Sequence, residues 1–229
     1  MIGNPAGGIW DKELGGCTMK ITYLVLGPFM TNTYIAWDEE TKHAVVIDPS
    51  FTPENIWRAI IKLGVTPLKI LLTHAHVDHM AGLNFLREKY PDAKVYMSGH
   101  DVPYLTDAAK NLSYMLDEPV RCAKPDVLVK EGDHITMDTM DFEVLDTPGH
   151  TPGGISFYCK KEKLVFTGDA LFQGSVGRTD FPGGSMTTLI ESIRKELYTL
   201  PDDTYVLSGH GNPTTIGDEK ASNPFVQGV

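Results

Sequence analysis

The chain has 229 residues, with 20 basic and 30 acidic side chains and a net charge of −10 at pH 7. A charge of this sign opposes nonspecific attraction to nucleic acid and to anionic membranes, so neither is expected as a partner. No apolar run approaches membrane-spanning length, and the N-terminus has no secretion-signal pattern. Three widely spaced cysteines without a C-x-x-C pair agree with a reducing compartment, so we expect a cytoplasmic protein.

The N-terminal segment differs in composition from the rest of the chain. Residues 1–18 contain five glycines and no strand or helix periodicity, which predicts a flexible extension. Patterned segments begin at Met19, and no linker or low-complexity segment divides the remainder of the chain. We therefore predict a single domain over residues 19–229.

The elements predicted in chain order suggest two similar halves. Short apolar, β-branched runs between turn residues predict strands, and apolar residues three or four apart predict helices. In the first half the strands are 21–26, 33–37, 44–47, 68–72 and 94–97, with helices at 53–63 and 80–90 and helical character at 101–116. In the second half the strands are 127–129, 135–137, 142–145, 155–159, 164–167 and 205–207, with a helix at 185–198. Two β-rich halves, each followed by helices, indicate an α+β fold in which two sheets pack face to face with helices outside, an αββα sandwich.

The motif T-H-A-H-V-D-H lies between the predicted strand 68–72 and the next predicted helix. Its metal-capable residues are His74, His76, Asp78 and His79. On an extended or tightly turned backbone His74 and His76 can project to one side and bind one ion, while the other two residues are carried around the turn. A single loop histidine is usually an ordinary residue, but this density indicates a metal site. One loop can thus contribute to two adjacent metals.

Three later strand ends each carry a metal-capable residue next to a glycine. They are His150 in T-P-G-H-T, Asp169 in T-G-D-A and His210 in S-G-H-G. Considered singly, each is explained as an ordinary turn residue, since glycine lets the backbone turn sharply at such points. Together with the first loop they supply five imidazoles and two carboxylates, a donor set suited to two neighbouring ions. No such context surrounds the remaining histidines, which are His43, His100 and His134.

The ordered series T-H-A-H-V-D-H, T-P-G-H-T-P-G, T-G-D-A-L-F and S-G-H-G resembles the metallo-β-lactamase superfamily over nearly all of residues 19–229. G-R-T-D-F-P-G-G at 177–184 and L-P-D-D-T-Y-V-L-S-G-H-G are similar to its short, single-domain glyoxalase II-like branch, related to hydroxyacylglutathione hydrolases. The resemblance implies the metallo-β-lactamase fold.

The resemblance also implies roles for individual residues. It places one metal on His74, His76 and His150, a second on Asp78, His79 and His210, and Asp169 between them as a bridging ligand. Two divalent ions are implied, with zinc expected and iron or manganese as alternatives. Asp48, Arg178 and Asp180 would support the site without binding metal, Asp48 behind a ligand and the other two as an ion pair or hydrogen-bond brace.

The implied reaction is hydrolysis of a small thioester of the S-lactoylglutathione type. A metal-bridging hydroxide would be the nucleophile, and Asp78 would combine ligation with orienting it. A G-x-S-x-G nucleophile elbow is absent from the sequence. True β-lactamases of the group usually have cysteine in place of Asp169, flavodiiron proteins have an acidic residue in place of His76, and the nucleases are disfavoured by the charge of this chain.

Two alternatives remain at this point. Persulfide dioxygenases resemble the chain in most of these motifs but bind a single iron, and A-H-D-Y is typical of their segment matching His210. S-G-H-G therefore favours the binuclear hydrolase, with the mononuclear iron persulfide dioxygenase as the alternative. A noncatalytic metal-binding module is the third hypothesis.

The mouth of the site is expected to be built from loops. Full-length hydroxyacylglutathione hydrolases have a C-terminal helical domain that supplies much of the glutathione contact, and the sequence ends soon after His210. We expect residues 28–32, 101–116 and 172–181 to receive a small-molecule thioester instead, alone or with a second subunit of a homo-oligomer.

Overall fold

The computed structural model describes residues 9–10 and 19–226, whose strands form two large sheets. The first sheet contains seven strands in sequence order: β1 (Ile9–Trp10), β2 (Met19–Leu26), β3 (Thr31–Asp38), β4 (His43–Ile47), β5 (Thr66–Leu71), β6 (Lys94–Ser98) and β7 (Val127–Val129). Pairing is antiparallel from β1 to β4 and parallel from β4 to β7. The sheet thus begins as an antiparallel meander and continues with helical crossovers.

The second sheet has six strands in the order β15-β14-β11-β10-β9-β8. They are β8 (His134–Met137), β9 (Met140–Asp146), β10 (Ile155–Cys159), β11 (Leu164–Gly168), β14 (Tyr205–Ser208) and β15 (Thr214–Thr215). A small hairpin, β12 (Leu171–Phe172) and β13 (Ser175–Val176), comes after β11. Only the β11–β14 pair in this sheet is parallel. As a result β9, β11 and β14 all end at the same edge.

The helices cover the outer faces of both sheets. Those of the first half are α1 (Pro53–Leu63), α2 (Val77–Met80), α3 (Leu83–Lys89) and two 3₁₀ segments, Gly99–Leu105 and Ser113–Met115. Those of the second half are α4 (Met186–Ser192), a π-helical turn at Ile193–Leu197 that continues it, and α5 (Ile216–Ser222).

Three apolar cores define the layers. The central core joins both sheets, with Ile21 and Tyr34 from the first and Phe157 and Phe166 from the second. A second core packs the helices of the first half on the first sheet, and a third packs those of the second half on the second sheet. Burial of these faces is the main driving force for the arrangement. The predicted αββα sandwich is confirmed.

The main departures from the predicted elements have local causes. The helix predicted at 80–90 is wrong in its limits, because it begins at Val77 and breaks between α2 and α3. At Gly82 an added Cβ would lie 2.6 Å from the carbonyl oxygen of Ser50, so the backbones approach closely there. The segment 101–116 forms short 3₁₀ turns rather than an α-helix, and Pro103 lies inside the first of them. The two-residue strands have no periodicity to detect.

At the N-terminus, Ile9–Trp10 pairs with Ile21 and Thr22 of β2, so this dipeptide is a short strand. Residues 1–8 and 11–18 lie outside the described part of the chain, and the flexible extension stays a prediction for them. Across the described residues, no helix has the length and apolar character needed to cross a membrane. The side chains of Cys122 and Cys159 are buried.

Candidate metal centre

The predicted ligands meet because their strands end at one edge of the sandwich. The first loop comes after β5 of one sheet, while His150, Asp169 and His210 come after β9, β11 and β14 of the other. The seven predicted ligands fall into three overlapping groups, and within each group the potential ligand atoms lie within 4.8 Å of one another. The groups are His74, His76 and His150; His74, His79 and Asp169; and Asp78, His79 and His210.

Several of these atoms are buried without a hydrogen-bond partner among the described residues. They include Nε2 of His74, Nε2 of His79 and Oδ1 of Asp169. The two histidines are 2% and 0% exposed, and unpaired polar atoms at such depth are costly. A cation bound among them would satisfy all three at once, so the residues fit a metal.

The remaining distances show which donor atoms lie close together. His79 Nε2 lies 3.4 Å from Asp78 Oδ2 and 3.3 Å from Asp169 Oδ1. On the side of the first group, His76 Nδ1 and His150 Nε2 are 2.8 Å apart. Three imidazoles therefore converge on one side, and the other side combines the imidazoles of His79 and His210 with carboxylates.

Asp48 orients two of the histidines from behind. Its Oδ2 lies 2.9 Å from His79 Nδ1 and accepts the Thr73 hydroxyl at 2.7 Å, while Oδ1 accepts the Thr73 N–H at 2.8 Å. Because the Thr73 hydroxyl donates to Asp48, it can only accept from His74 Nδ1, 3.1 Å away. Both histidines then present Nε2 to the centre. The Asp48 backbone has φ 50°, an unusual conformation that the surrounding bonds maintain.

The other ligands are fixed by partners from distant parts of the chain. His150 Nδ1 donates to the Arg178 carbonyl at 2.6 Å, and His210 Nδ1 donates to the Phe29 carbonyl at 3.0 Å. Arg178 thus supports the site through its backbone, whereas its guanidinium pairs with Asp180 at 2.9 and 2.7 Å. The ion pair predicted for Arg178 and Asp180 is present.

One buried residue at the site escaped the sequence analysis. Asp101 is fully buried, and its Oδ2 accepts the Ala75 N–H at 3.2 Å and the Thr151 hydroxyl at 2.8 Å. Its Oδ1 accepts the Gly153 N–H at 2.7 Å. Ala75 lies between two predicted ligands and Thr151 is next to a third, so Asp101 joins the two loops that carry the three-histidine group. The available signal was its position just after the end of β6, like the ligands after their own strands.

Glycine is required where β14 ends. A Cβ at Gly209 would lie 2.3 Å from Asp169 Oδ1 and 2.6 Å from His79 Cε1. Real Cβ atoms do not approach other atoms this closely, so a side chain here would displace two predicted ligands.

On the three-histidine side, burial favours the neutral imidazoles of His74 and His76. Burial lowers the pKa of His74 well below its usual value and that of His76 to about 3, and neighbouring histidines lower both further. A neutral imidazole is the form that binds metal.

On the opposite side the carboxylates dominate. Burial disfavours charge on His79 and His210, but Asp78 and Asp169 outweigh it, so the pKa of His79 lies well above its usual value and that of His210 rises to about 10. Burial likewise opposes ionisation of Asp78, but His79 and His210 lower its pKa to about 2. The carboxylates of this half therefore stabilise bound positive charge, either as protons on the two histidines or as a metal ion.

A cleft of about 760 Å³ opens on this centre. His76, Asp78, His150, Asp169 and His210 form its polar floor. The mouth is lined by Phe29, by Leu112, Tyr114 and Met115, and by residues between Phe172 and Phe181. The three loops expected to form the mouth therefore do line it. His43, His100 and His134 belong to none of the metal-capable groups found in the described residues.

Relatives of known sequence match the chain over almost its whole length, among them two that carry a functional name. The probable metallo-hydrolase YqgX of Bacillus subtilis is 42% identical over 92% of this chain and 99% of its own. The hydroxyacylglutathione hydrolase GloC of Haemophilus influenzae is 39% identical over 91% of this chain and 98% of its own.

Solved structures give the same fold. BLEG-1 B3 metallo-β-lactamase has a TM-score of 0.86 at 41% identity, covering 91% of this chain and 100% of the other. TTHA1623 in a di-iron-bound form has a TM-score of 0.76 at 38% identity, covering 89% and 98%. ETHE1 from Myxococcus xanthus has a TM-score of 0.73 at 33% identity, covering 89% and 83%.

The family model of the metallo-β-lactamase superfamily matches residues 26–210, a span that contains the seven predicted ligands. The family inferred from the motifs is confirmed, and divalent metal binding is typical of it. The chain belongs to the metallo-β-lactamase superfamily of metal-dependent hydrolases.

Proposed function

We propose that the chain is a binuclear metal-dependent hydrolase of small thioesters, of the S-lactoylglutathione type. The observation that carries this proposal is the position of His210. Its Nε2 lies 3.2 Å from Asp78 Oδ2 and 3.4 Å from Asp169 Oδ2. Together with His79, these residues give a second ion its own ligands beside the three-histidine group.

The donor set determines the chemistry. Divalent ions bound here would lower the pKa of water to near 7 and polarise the scissile carbonyl of a substrate. Zinc is the metal we expect, with iron or manganese as alternatives for mixed imidazole and carboxylate ligands. Asp78 lines the cleft, and the Thr31 hydroxyl donates to its Oδ2 at 2.8 Å, which holds the carboxylate in place. From there it could combine ligation with orienting the attacking hydroxide.

Two relatives support this assignment. GloC is named a hydroxyacylglutathione hydrolase and is 39% identical, and YqgX is named a probable metallo-hydrolase. The di-iron form of TTHA1623 supports a site for two ions.

A second candidate is β-lactam hydrolysis. The presence of Asp169 where cysteine is usual in true β-lactamases argued against it, but a structure named a B3 metallo-β-lactamase is 41% identical to the chain. Attack of water on a strained amide carbonyl needs the same centre as attack on a thioester. The mononuclear iron persulfide dioxygenase remains the alternative from a different reaction class.

Three measurements on purified protein separate these candidates. Metal analysis should give about two ions per chain, and S-lactoylglutathione should be hydrolysed with faster turnover than a chromogenic cephalosporin. One iron per chain with oxygen uptake on glutathione persulfide would instead establish the dioxygenase. His210→Ala should remove one ion and reduce thioester turnover by at least about 100-fold, whereas a one-metal dioxygenase would largely retain its activity.

A further inference from the structure

The walls of the cleft are apolar. Apart from predicted metal ligands, Ser175 and Arg178, every described residue that lines it is apolar or aromatic. Phe29 and Phe172 stand on the side of His210, and Phe181 stands beside His76 with a ring-centroid distance of 5.7 Å. A group that reaches the centre therefore passes between hydrophobic surfaces.

Several of these side chains are strongly exposed. Phe29 is 44% exposed, Tyr114 61% and Met115 53%. They come from two segments far apart in sequence, the turn between β2 and β3 and the 3₁₀ segment Ser113–Met115, and both line the same opening. A cluster of large exposed apolar side chains on a globular protein marks a binding surface.

The exposed apolar surface of Phe29, Tyr114 and Met115 lies at the opening of the cleft, and this position indicates which kind of molecule binds to it. A protein partner seated on these residues would cover the opening that leads to the metal centre. A substrate bound there keeps the carbonyl at the centre and buries the rest of the molecule against the rim. Because the apolar surface and the predicted ligands line the same cleft, the molecule that binds to this surface is the substrate itself.

We infer that, among thioesters of one and the same thiol, the centre prefers those with an apolar acyl group of several carbons or an aromatic ring over those with a short or polar acyl group. This inference rests on the proposed function and deepens it, because it concerns which thioesters the same centre hydrolyses.

A homologous series tests the acyl group. Acetyl, butanoyl, hexanoyl and phenylacetyl thioesters of N-acetylcysteamine share one uncharged thiol, and kcat/KM is measured for each. Full burial of one methylene is worth about a fourfold increase, so kcat/KM should rise at least tenfold from acetyl to hexanoyl. A flat series would overturn the inference.

Rim variants connect the preference to these residues. Phe29→Ala and Met115→Ala should reduce the ratio of hexanoyl to acetyl kcat/KM to below about three. Phe225→Ala is the matched control, since Phe225 is 51% exposed and lies outside the cleft. An unchanged ratio in both rim variants would contradict the assignment of the surface. The assignment would also be contradicted if the wild-type protein were a dimer, both variants were monomers and acyl length had no effect on kcat/KM. The surface would then join two copies of the chain.

A binding measurement separates failure of the inference from failure of the proposed function. Hexanoate and acetate are titrated against the metal-loaded protein by calorimetry, which needs no turnover. Absence of thioester hydrolysis refutes the proposed function, yet at least tenfold tighter binding of hexanoate would still support the apolar preference of the cleft. Equal binding of the two acids would overturn that preference whether or not thioesters are hydrolysed.

Discussion

Asp101 is the residue whose substitution should disturb one half of the centre more than the other. Asp101→Ala leaves the N–H groups of Ala75 and Gly153 and the Thr151 hydroxyl without their acceptor. Each such buried group costs about 1–3 kcal/mol, so we expect a loss of about 3 kcal/mol or more. The loops of the three-histidine group should loosen, and metal content should fall from about two ions per chain towards one. Thermal unfolding and metal analysis measure the two effects.

The comparison variant for this test is Asp48→Ala, which removes the acceptor of both His79 and Thr73 and should therefore disturb both halves of the centre. Asp101→Asn retains one oxygen acceptor and should lie between wild type and Asp101→Ala. If Asp101→Ala binds two ions with unchanged affinity, the carboxylate does not position the ligand loops.

Gly209 offers a second prediction for a single residue. Gly209→Ala should reduce hydrolysis at least about 100-fold, because its Cβ would displace Asp169 and His79. Gly99→Ala is the control, since its nearest contact would be Leu128 Cδ1 at an ordinary 3.8 Å. Metal titration followed by a turnover assay measures both variants. Full activity in Gly209→Ala would show that the backbone at the end of β14 has room to move.

The ligands and their supports differ in how far sequence could predict them. His74, His76 and His79 lie within one short motif, so the sequence alone was enough to predict that they form part of a metal site. Asp101 acts through the backbone N–H groups of Ala75 and Gly153, which carry no residue-type signal. Its role therefore depends on the folded positions of three loops and emerges only from the structure.

At the level of elements, the start of β3 joins the two sheets next to the centre. The buried Asn32 side chain donates to the carbonyls of Ser208 and Gly211 at 3.0 Å each, and its N–H donates to Gly209. Asn32→Asp would place a carboxylate against two carbonyl oxygens, so we expect a loss of about 2–4 kcal/mol and weaker binding of the ion held by His210. Denaturant unfolding and metal titration measure these effects.

Asn84→Asp is the control for that substitution, because Asn84 makes one exposed side-chain bond to a backbone carbonyl, that of Arg121. Equal stability losses in the two variants would mean that the Asn32 bonds do not couple the sheets.

The elements also show where sequence patterns stop being informative. Strands such as β10 were predicted at their observed limits, since five consecutive buried positions produce a continuous apolar run. The break between α2 and α3 at Gly82 was not predicted, because it depends on the close approach of the Ser50 backbone. The π-helical turn at Ile193–Leu197 continues α4 without any change in the sequence pattern. Contacts between distant segments decide such details.

At the scale of the whole molecule, the centre connects the two sheets at one edge, since its first loop comes after β5 and its other ligands come after β9, β11 and β14. Bound metal should therefore stabilise the sandwich in addition to any chemistry it supports. At a free concentration a thousand times its Kd, one ion contributes about 4 kcal/mol, which for a chain of this size raises Tm by about 8–16 °C.

Removal of metal with a strong chelator should lower Tm by that amount and leave the secondary structure in place, because the central core of Ile21, Tyr34, Phe157 and Phe166 does not depend on the ions. Circular dichroism and calorimetry measure the secondary structure and Tm with and without metal. In a His74→Ala, His210→Ala double variant the chelator should have no effect, since each half of the centre lacks a ligand. If the wild-type protein had the same Tm with and without metal, packing of the two sheets alone would stabilise this edge of the sandwich.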